Sequence, residues 1–252
     1  MKDKLKVDLN CDLGESFGPW KMGDDAAILP YISSVNIACG FHAGDPSTML
    51  NTIELAQKYD VHIGAHPGFY DREGFGRREI KMSPSEVYAL VIYQVGALQA
   101  CATAKGAVLH HVKPHGALYN MAAKEASLAA AIVQAVVDVD PSLILYGLSG
   151  SALVAESEKK GLRVYHEVFA DRTYQPDGSL TPRTASDAVI KNSDQAIEQV
   201  LHMLLEGKVT SVTGTAVTMQ ADTICLHGDN PAAVTFAATI AQALNDHDIR
   251  IR

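Results

Sequence analysis

Lys6-Val7-Asp8-Leu9-Asn10-Cys11-Asp12 alternates strictly near the start of the chain, with Val7, Leu9 and Cys11 in one parity and Asp8, Asn10 and Asp12 in the other. Successive side chains of a β-strand point to opposite faces, so this segment reads as a strand with one apolar and one polar face. In an open parallel sheet helices cover both faces, and its strands read as near-continuous apolar runs. A closed barrel instead turns the apolar parity toward the surrounding helices and the polar parity toward its interior and mouth. The segment therefore favours a TIM-like barrel over a doubly wound sheet.

Working outward, β-rich runs are expected at 5–11, 34–39, 61–65, 107–113, 143–146, 162–169 and 223–227, with an extra Thr/Val-rich piece at 208–219. Helical patterns separate them, and several carry start signals. Asp45 precedes Pro46, Ser83 precedes Pro84 with Glu86 completing a capping box, and Asn230 precedes Pro231. The result is about seven βα units in a single domain spanning 1–252, with no linker or charge block dividing it.

The chain has 252 residues, 47% hydrophobic and 20% charged, enough apolar material for one large core. Its formal net charge of -8 lacks the basic excess of a nucleic-acid binder and points to a small-molecule function. Cys11, Cys39, Cys101 and Cys225 are scattered without finger or disulfide-framework spacing, which suits a reducing cytoplasm. No apolar leader follows the charged start, and the most apolar stretch, 126–139, is too short for a membrane span and reads as a buried helix. No P-loop, Rossmann fingerprint or GxSxG elbow is present. Gly147-Leu148-Ser149-Gly150-Ser151 reads as a turn or as an anion-holding helix start.

Ionisable residues gather just past nearly every expected strand, where barrel loops carry chemistry. They are Asp12 and Glu15; His42 and Asp45; His66, Asp71, Arg72 and Arg77; His111, Lys113, His115 and Tyr119; Glu167, Asp171, Arg172 and Tyr174; then His227 and Asp229. His62 and His66 share a parity, but Pro67 follows and no Glu adjoins, so this is no HExxH zinc helix. His62, near the strand start, reads as structural, and His66, near its end, can meet substrate or metal. Lys113 in an enclosed mouth needs a carboxylate or an anionic substrate beside it. Asp8, Asn10 and Asp12 offer hard oxygen ligands, a general base with partners, or an internal polar network, the last best for Asp8. Asp45 suits capping at least as well as catalysis. The loop carrying Gly74-Phe75-Gly76-Arg77-Arg78 is long enough to bind or cover a site, or to be plain surface.

VDLNCDLGESFG (7–18), VNIACGFHAGDP (35–46), GAHPGFYDREGFGRR (64–78), VKPHGALYN (112–120), EVFADRTYQPDGSLTPR (167–183) and CLHGDNP (225–231) together closely resemble the LamB/YcsF family, in matching order over nearly the whole chain. The resemblance implies an irregular (β/α)7 barrel similar to the glycoside hydrolase/deacetylase superfamily. It also implies one subunit of a bacterial ATP-dependent 5-oxoprolinase, which works with subunits B and C to open the lactam 5-oxoproline to L-glutamate. ATP is then a co-substrate of the complex, handled by the partner subunits because this chain carries no nucleotide motif.

In that picture Asp12 or His66 takes the proton of the attacking water, while Lys113 with Arg72 or Arg77 holds the substrate carboxylate or a phosphoryl group. Asn10, Glu15, His42, His115, Asp171 and Arg172 are the further candidates for substrate contact. The superfamily resemblance raises a divalent metal on Asp12, His42 and His66, although the deacetylase His-x-x-x-His signature is missing around His42. Two other readings stay open: a stand-alone metal-dependent deacetylase or amidase, and a noncatalytic substrate-binding subunit. Self-association is left open; no nucleic-acid or membrane partner is expected.

Overall fold

Seven parallel strands close into a barrel in a computed structural model that describes residues 5–227 and 233–252, and of His227 the backbone alone. The chain runs β1 (Lys6–Leu13), α1 (Asp25–Ile28), β2 (Ser34–Ala38), α2 (Pro46–Lys58), β3 (His62–His66), α3 (Pro84–Ala104), β4 (Leu109–Val112), α4 (Gly116–Lys124), α5 (Ala126–Val139), β5 (Ile144–Leu148), α6 (Ala152–Lys160) and β6 (Val164–Phe169). It continues through α7 (Ser193–Glu206), β7 (Lys208–Thr210), β8 (Ala216–Thr218), β9 (Thr223–His227), α8 (Ala233–Asp246) and β10 (Arg250–Ile251). Strands β1 to β6 lie in chain order, and β9 sits between β6 and β1, with Asn10 opposite Cys225 and Phe169 also opposite Cys225. The barrel is irregular in two places: β10 adds to the flank of β1, and β7 and β8 form a separate antiparallel pair. That pair is the Thr/Val-rich piece at 208–219.

Local chemistry accounts for the helix starts. Asp45 accepts from the backbone N–H groups of Ser47 and Thr48 ahead of Pro46, and Ser83 with Glu86 forms the full capping box. Ser151 caps α6 and Gly150 takes φ +76°, so 147–151 is a turn and a cap. The expected start at Asn230 and Pro231 lies outside the described residues. By length and composition α3, not 126–139, is the helix apolar enough to cross a membrane, yet it packs on α5 and buries Val87, Val91, Val95 and Leu98 completely.

Alternation along β1 does what its pattern requires. Val7, Leu9 and Cys11 are fully buried in the apolar core, while the other parity enters the barrel. At the deep end Asp8 accepts from the hydroxyls of Ser33 and Ser34, 2.7 and 2.6 Å away, which is the internal network read from the sequence. His62 stacks on His110 at the same end, far from the strand's carboxyl terminus. One layer higher, the His111 ring fills space that only a glycine on β3 can leave, since a Cβ on Gly64 would come within 2.0 Å of His111 Nε2. Gly64→Ala is expected to cost about 2–3 kcal/mol by overpacking, measurable by urea unfolding. An unchanged midpoint would show that the ring can move aside.

Candidate active site

The inward-facing layers of the barrel end in a salt-bridged centre at its carboxyl-terminal mouth. Lys113, just past β4, places its Nζ 2.9 Å from Asp12 Oδ1 and 2.9 Å from Glu167 Oε1. The same ammonium donates to Asn10 Oδ1 at 3.1 Å and contacts Cys225 Sγ at 3.0 Å. Burial opposes the charge on Lys113, but the negative groups around it, Asp12 foremost, outweigh burial and hold its pKa well above the usual lysine range. Lys113 is thus a fixed cation engaged by protein acceptors.

Beneath it a second layer sets the orientation of Asp12. Asn36 donates from Nδ2 to Asn10 Oδ1 at 2.7 Å and to Asp12 Oδ1 at 2.8 Å. Its own Oδ1 accepts from His111 Nε2 at 2.7 Å. Asn10 donates in turn to Glu167 Oε1 and to the Thr223 hydroxyl. Burial pushes the His111 pKa well below its ordinary value, so this network runs through a neutral imidazole.

Beside Asp12 three imidazoles meet. His66 Nδ1 donates to the Lys113 carbonyl at 2.7 Å, and its Nε2 faces Asp12 Oδ2 at 3.3 Å and His115 Nδ1 at 2.9 Å. His115 Nε2 donates to the Phe75 carbonyl at 2.8 Å. His42 lies parallel to His115 with centroids 3.7 Å apart, and its Nε2 is 3.6 Å from Glu15 Oε1. Burial, reinforced by the neighbouring imidazoles, holds the pKa values of His42 and His115 well below the ordinary one. Glycines make this crowding feasible: a Cβ on Gly68 would reach within 2.6 Å of His42 Nδ1, and one on Gly76 within 2.8 Å of His115 Cδ2. The loop after β3 therefore packs on the site. Phe75, at φ +54°, bends its carbonyl toward His115.

A cleft of about 500 Å³ opens above this centre. Asp12, Glu15, His66, Lys113 and His115 line its floor, and Arg77, Arg172 and Arg183 belong to its walls with Tyr119 and Phe169. The floor is rich in carboxylates and imidazoles, and the guanidinium groups suit a small anion. Burial, with Arg183 nearby, lowers the pKa of Arg172 to about 10, still charged at neutral pH.

Several residues expected from the sequence stand elsewhere. Arg72 donates to the Gly40 carbonyl and lies over the Phe17 ring, which places it in a neighbouring hollow with His42 and not in the Asp12 cleft. Asn10 is fully buried below Lys113, where it positions and does not touch a ligand. Asp171 is absent from the cleft lining, and its carbonyl accepts from Ile190 N–H. Arg172 lines the cleft but spends Nε and Nη2 on the carbonyls of Ala188 and Thr181. Asp45 caps α2 and also accepts from Gly18 N–H. Asp229 lies outside the described residues.

Other participants had a weaker sequence signal. Asn36 has the inward parity of β2, so the alternation argument applied to β1 reaches it too. Glu167 is a lone acid in an otherwise apolar strand end, and Arg183 sits in an aperiodic loop with no local signal.

The LamB/YcsF family profile matches residues 7–252. The chain is 59% identical over 246 residues to the 5-oxoprolinase A-type component of Geobacillus thermodenitrificans, covering 98% of this chain and 96% of the relative. It is 57% identical to the protein of the same name from Bordetella parapertussis, covering 98% of each. Among solved structures it superposes on a lactam utilization protein from Thermus thermophilus with a TM-score of 0.92 at 46% identity, covering 98% and 99% of the two chains. A more distant Enterococcus faecalis structure, at 14% identity and a TM-score of 0.61, shares the fold alone. With the profile spanning the barrel from its first strand to its last residue, the chain belongs to the LamB/YcsF family.

Proposed function

We propose that this chain is the lactam-opening barrel of an ATP-dependent 5-oxoprolinase, converting 5-oxoproline to L-glutamate together with subunits B and C. The observation that carries the reading is Asp12, fixed by Lys113 and Asn36 at the floor of a cleft that carries three arginines. The names of its relatives support the choice of substrate.

A five-membered lactam is an unreactive amide, so its carbonyl carbon must be made electrophilic before water adds. ATP coupling supplies that activation by phosphorylating the lactam oxygen, and we assign this step to the partner subunits. In the barrel, Asp12 takes the proton of the attacking water, the ring C–N bond breaks, and the nitrogen takes up a proton to become the amine of glutamate as phosphate is released. His66 is held by the Lys113 carbonyl beside Asp12 and orients the exchange. Arg77 and Arg183 receive the substrate carboxylate or the phosphoryl group and offset developing negative charge. Lys113 keeps Asp12 ionised and aimed, and does not grip the substrate itself.

Reconstitution tests this assignment. Purified subunits B and C, given 5-oxoproline and ATP, are expected to form glutamate only when this chain is added. Equal glutamate formation without the chain, from folded partners, removes the assignment.

A further inference from the structure

We propose that Glu15, His42, His66 and His115 form a binding site for one divalent transition-metal ion of the zinc class. One donor atom from each of these four buried residues lies within 4.8 Å of the others. The inference rests on those side chains and stands apart from the lactam reading.

Hydrogen-bond accounting carries it. Carbonyl oxygens only accept, so His66 must carry its proton on Nδ1, facing Lys113, and His115 must carry its own on Nε2, facing Phe75. In these neutral tautomers His66 Nε2 and His115 Nδ1 are both lone pairs, and they face each other at 2.9 Å. Two lone pairs at that separation repel unless a positive centre lies against both. Their outer nitrogens are meanwhile anchored to backbone carbonyls, the usual arrangement of metal-ligating histidines.

The second, independent observation is His42. It is 1% exposed, and neither ring nitrogen has a hydrogen-bond partner, although a buried imidazole is costly to leave unsatisfied. Its Nε2 points to the same place, 3.6 Å from Glu15 Oε1. Gly68 and Gly76 leave the room these rings occupy. Three imidazoles and one carboxylate favour Zn²⁺, Co²⁺ or Ni²⁺ over Mg²⁺ or Ca²⁺, which prefer all-oxygen sites. When bound, such an ion supplies Lewis-acid polarisation of a carbonyl or phosphoryl oxygen. The ligand set differs from Asp12, His42 and His66, because Asp12 Oδ1 is taken by Lys113 and Asn36.

The test is metal uptake by the full chain, read without any activity assay. After chelation and dialysis, calorimetric titration with Zn²⁺ and visible spectroscopy with Co²⁺ are expected to show one equivalent bound at about micromolar affinity or tighter, with no comparable uptake of Mg²⁺. His66→Ala and Glu15→Gln are each expected to weaken binding at least about 10-fold, with circular dichroism confirming the fold. Should a variant not fold, ¹⁵N spectra of the wild-type imidazoles provide the second readout, with His66 and His115 shifting together on Zn²⁺ addition. No stoichiometric uptake by the folded wild-type chain, with a proton shared between His66 and His115, overturns the proposal. Uptake abolished in Asp12→Asn but intact in Glu15→Gln overturns the ligand set.

Discussion

Asp12→Asn is expected to lower glutamate formation in the reconstituted complex by about 10³-fold, within the range a general base contributes. The amide cannot take a proton from water, yet it matches the carboxylate in shape, and its oxygen can still accept from Lys113 and Asn36. Lys113 also keeps Glu167 as a counter-charge at 2.9 Å, so the ammonium is not stranded. The fold should therefore survive at a cost of about 1–3 kcal/mol, a thermal midpoint lower by several degrees. Because Asp12 works on water and not on the substrate carboxylate, the loss belongs in kcat, with KM for 5-oxoproline changed little. A folded variant with wild-type turnover would remove Asp12 from the chemistry and leave His66 as the candidate base.

Lys113→Met has the opposite balance, with stability lost as well as activity. The substitution preserves length and packing but withdraws the cation shared by Asp12 and Glu167, both buried. Breaking a buried pair from one side typically costs about 3–5 kcal/mol, because the remaining charge has neither water nor a partner. In a chain of this size that corresponds to a thermal midpoint lower by about 10 °C or more. Acid should narrow the gap between variant and wild type by neutralising the stranded carboxylates.

In the wild type the sign is reversed. The pKa of Lys113 is raised in the folded state, so its stabilisation is fully present below the unfolded lysine value and is lost only as pH rises through the higher folded value. No loss from this group is thus expected near neutral pH. The double variant Lys113→Met/Glu167→Gln should recover part of the stability and none of the turnover. Differential scanning calorimetry across pH distinguishes these outcomes, and a Lys113→Met midpoint equal to wild type at neutral pH would mean the carboxylates are hydrated or already neutral.

The sequence determined the barrel because strand alternation is local. Val7, Leu9 and Cys11 against Asp8, Asn10 and Asp12 state which side of β1 meets helices, and Pro46 after Asp45 and Glu86 after Ser83 state where helices begin. Motif order along the chain likewise identified the family, over 7–252. Asp12, Glu15, His66, Lys113 and His115 were legible as site candidates because each falls at or just past a strand's carboxyl end, where a barrel converges its loops. What only the tertiary structure decided is how those residues are paired. Lys113 meets Glu167, 54 positions later, only because strand closure puts β4 and β6 across one interior. Arg72 and Arg77 are five residues apart in one loop, yet only Arg77 lines the cleft, because Arg72 is drawn away by the Phe17 ring and the Gly40 carbonyl. Periodicity gives each side chain a face of its own element, but the distance between two side chains depends on the register and closure of the whole barrel, which no local pattern encodes.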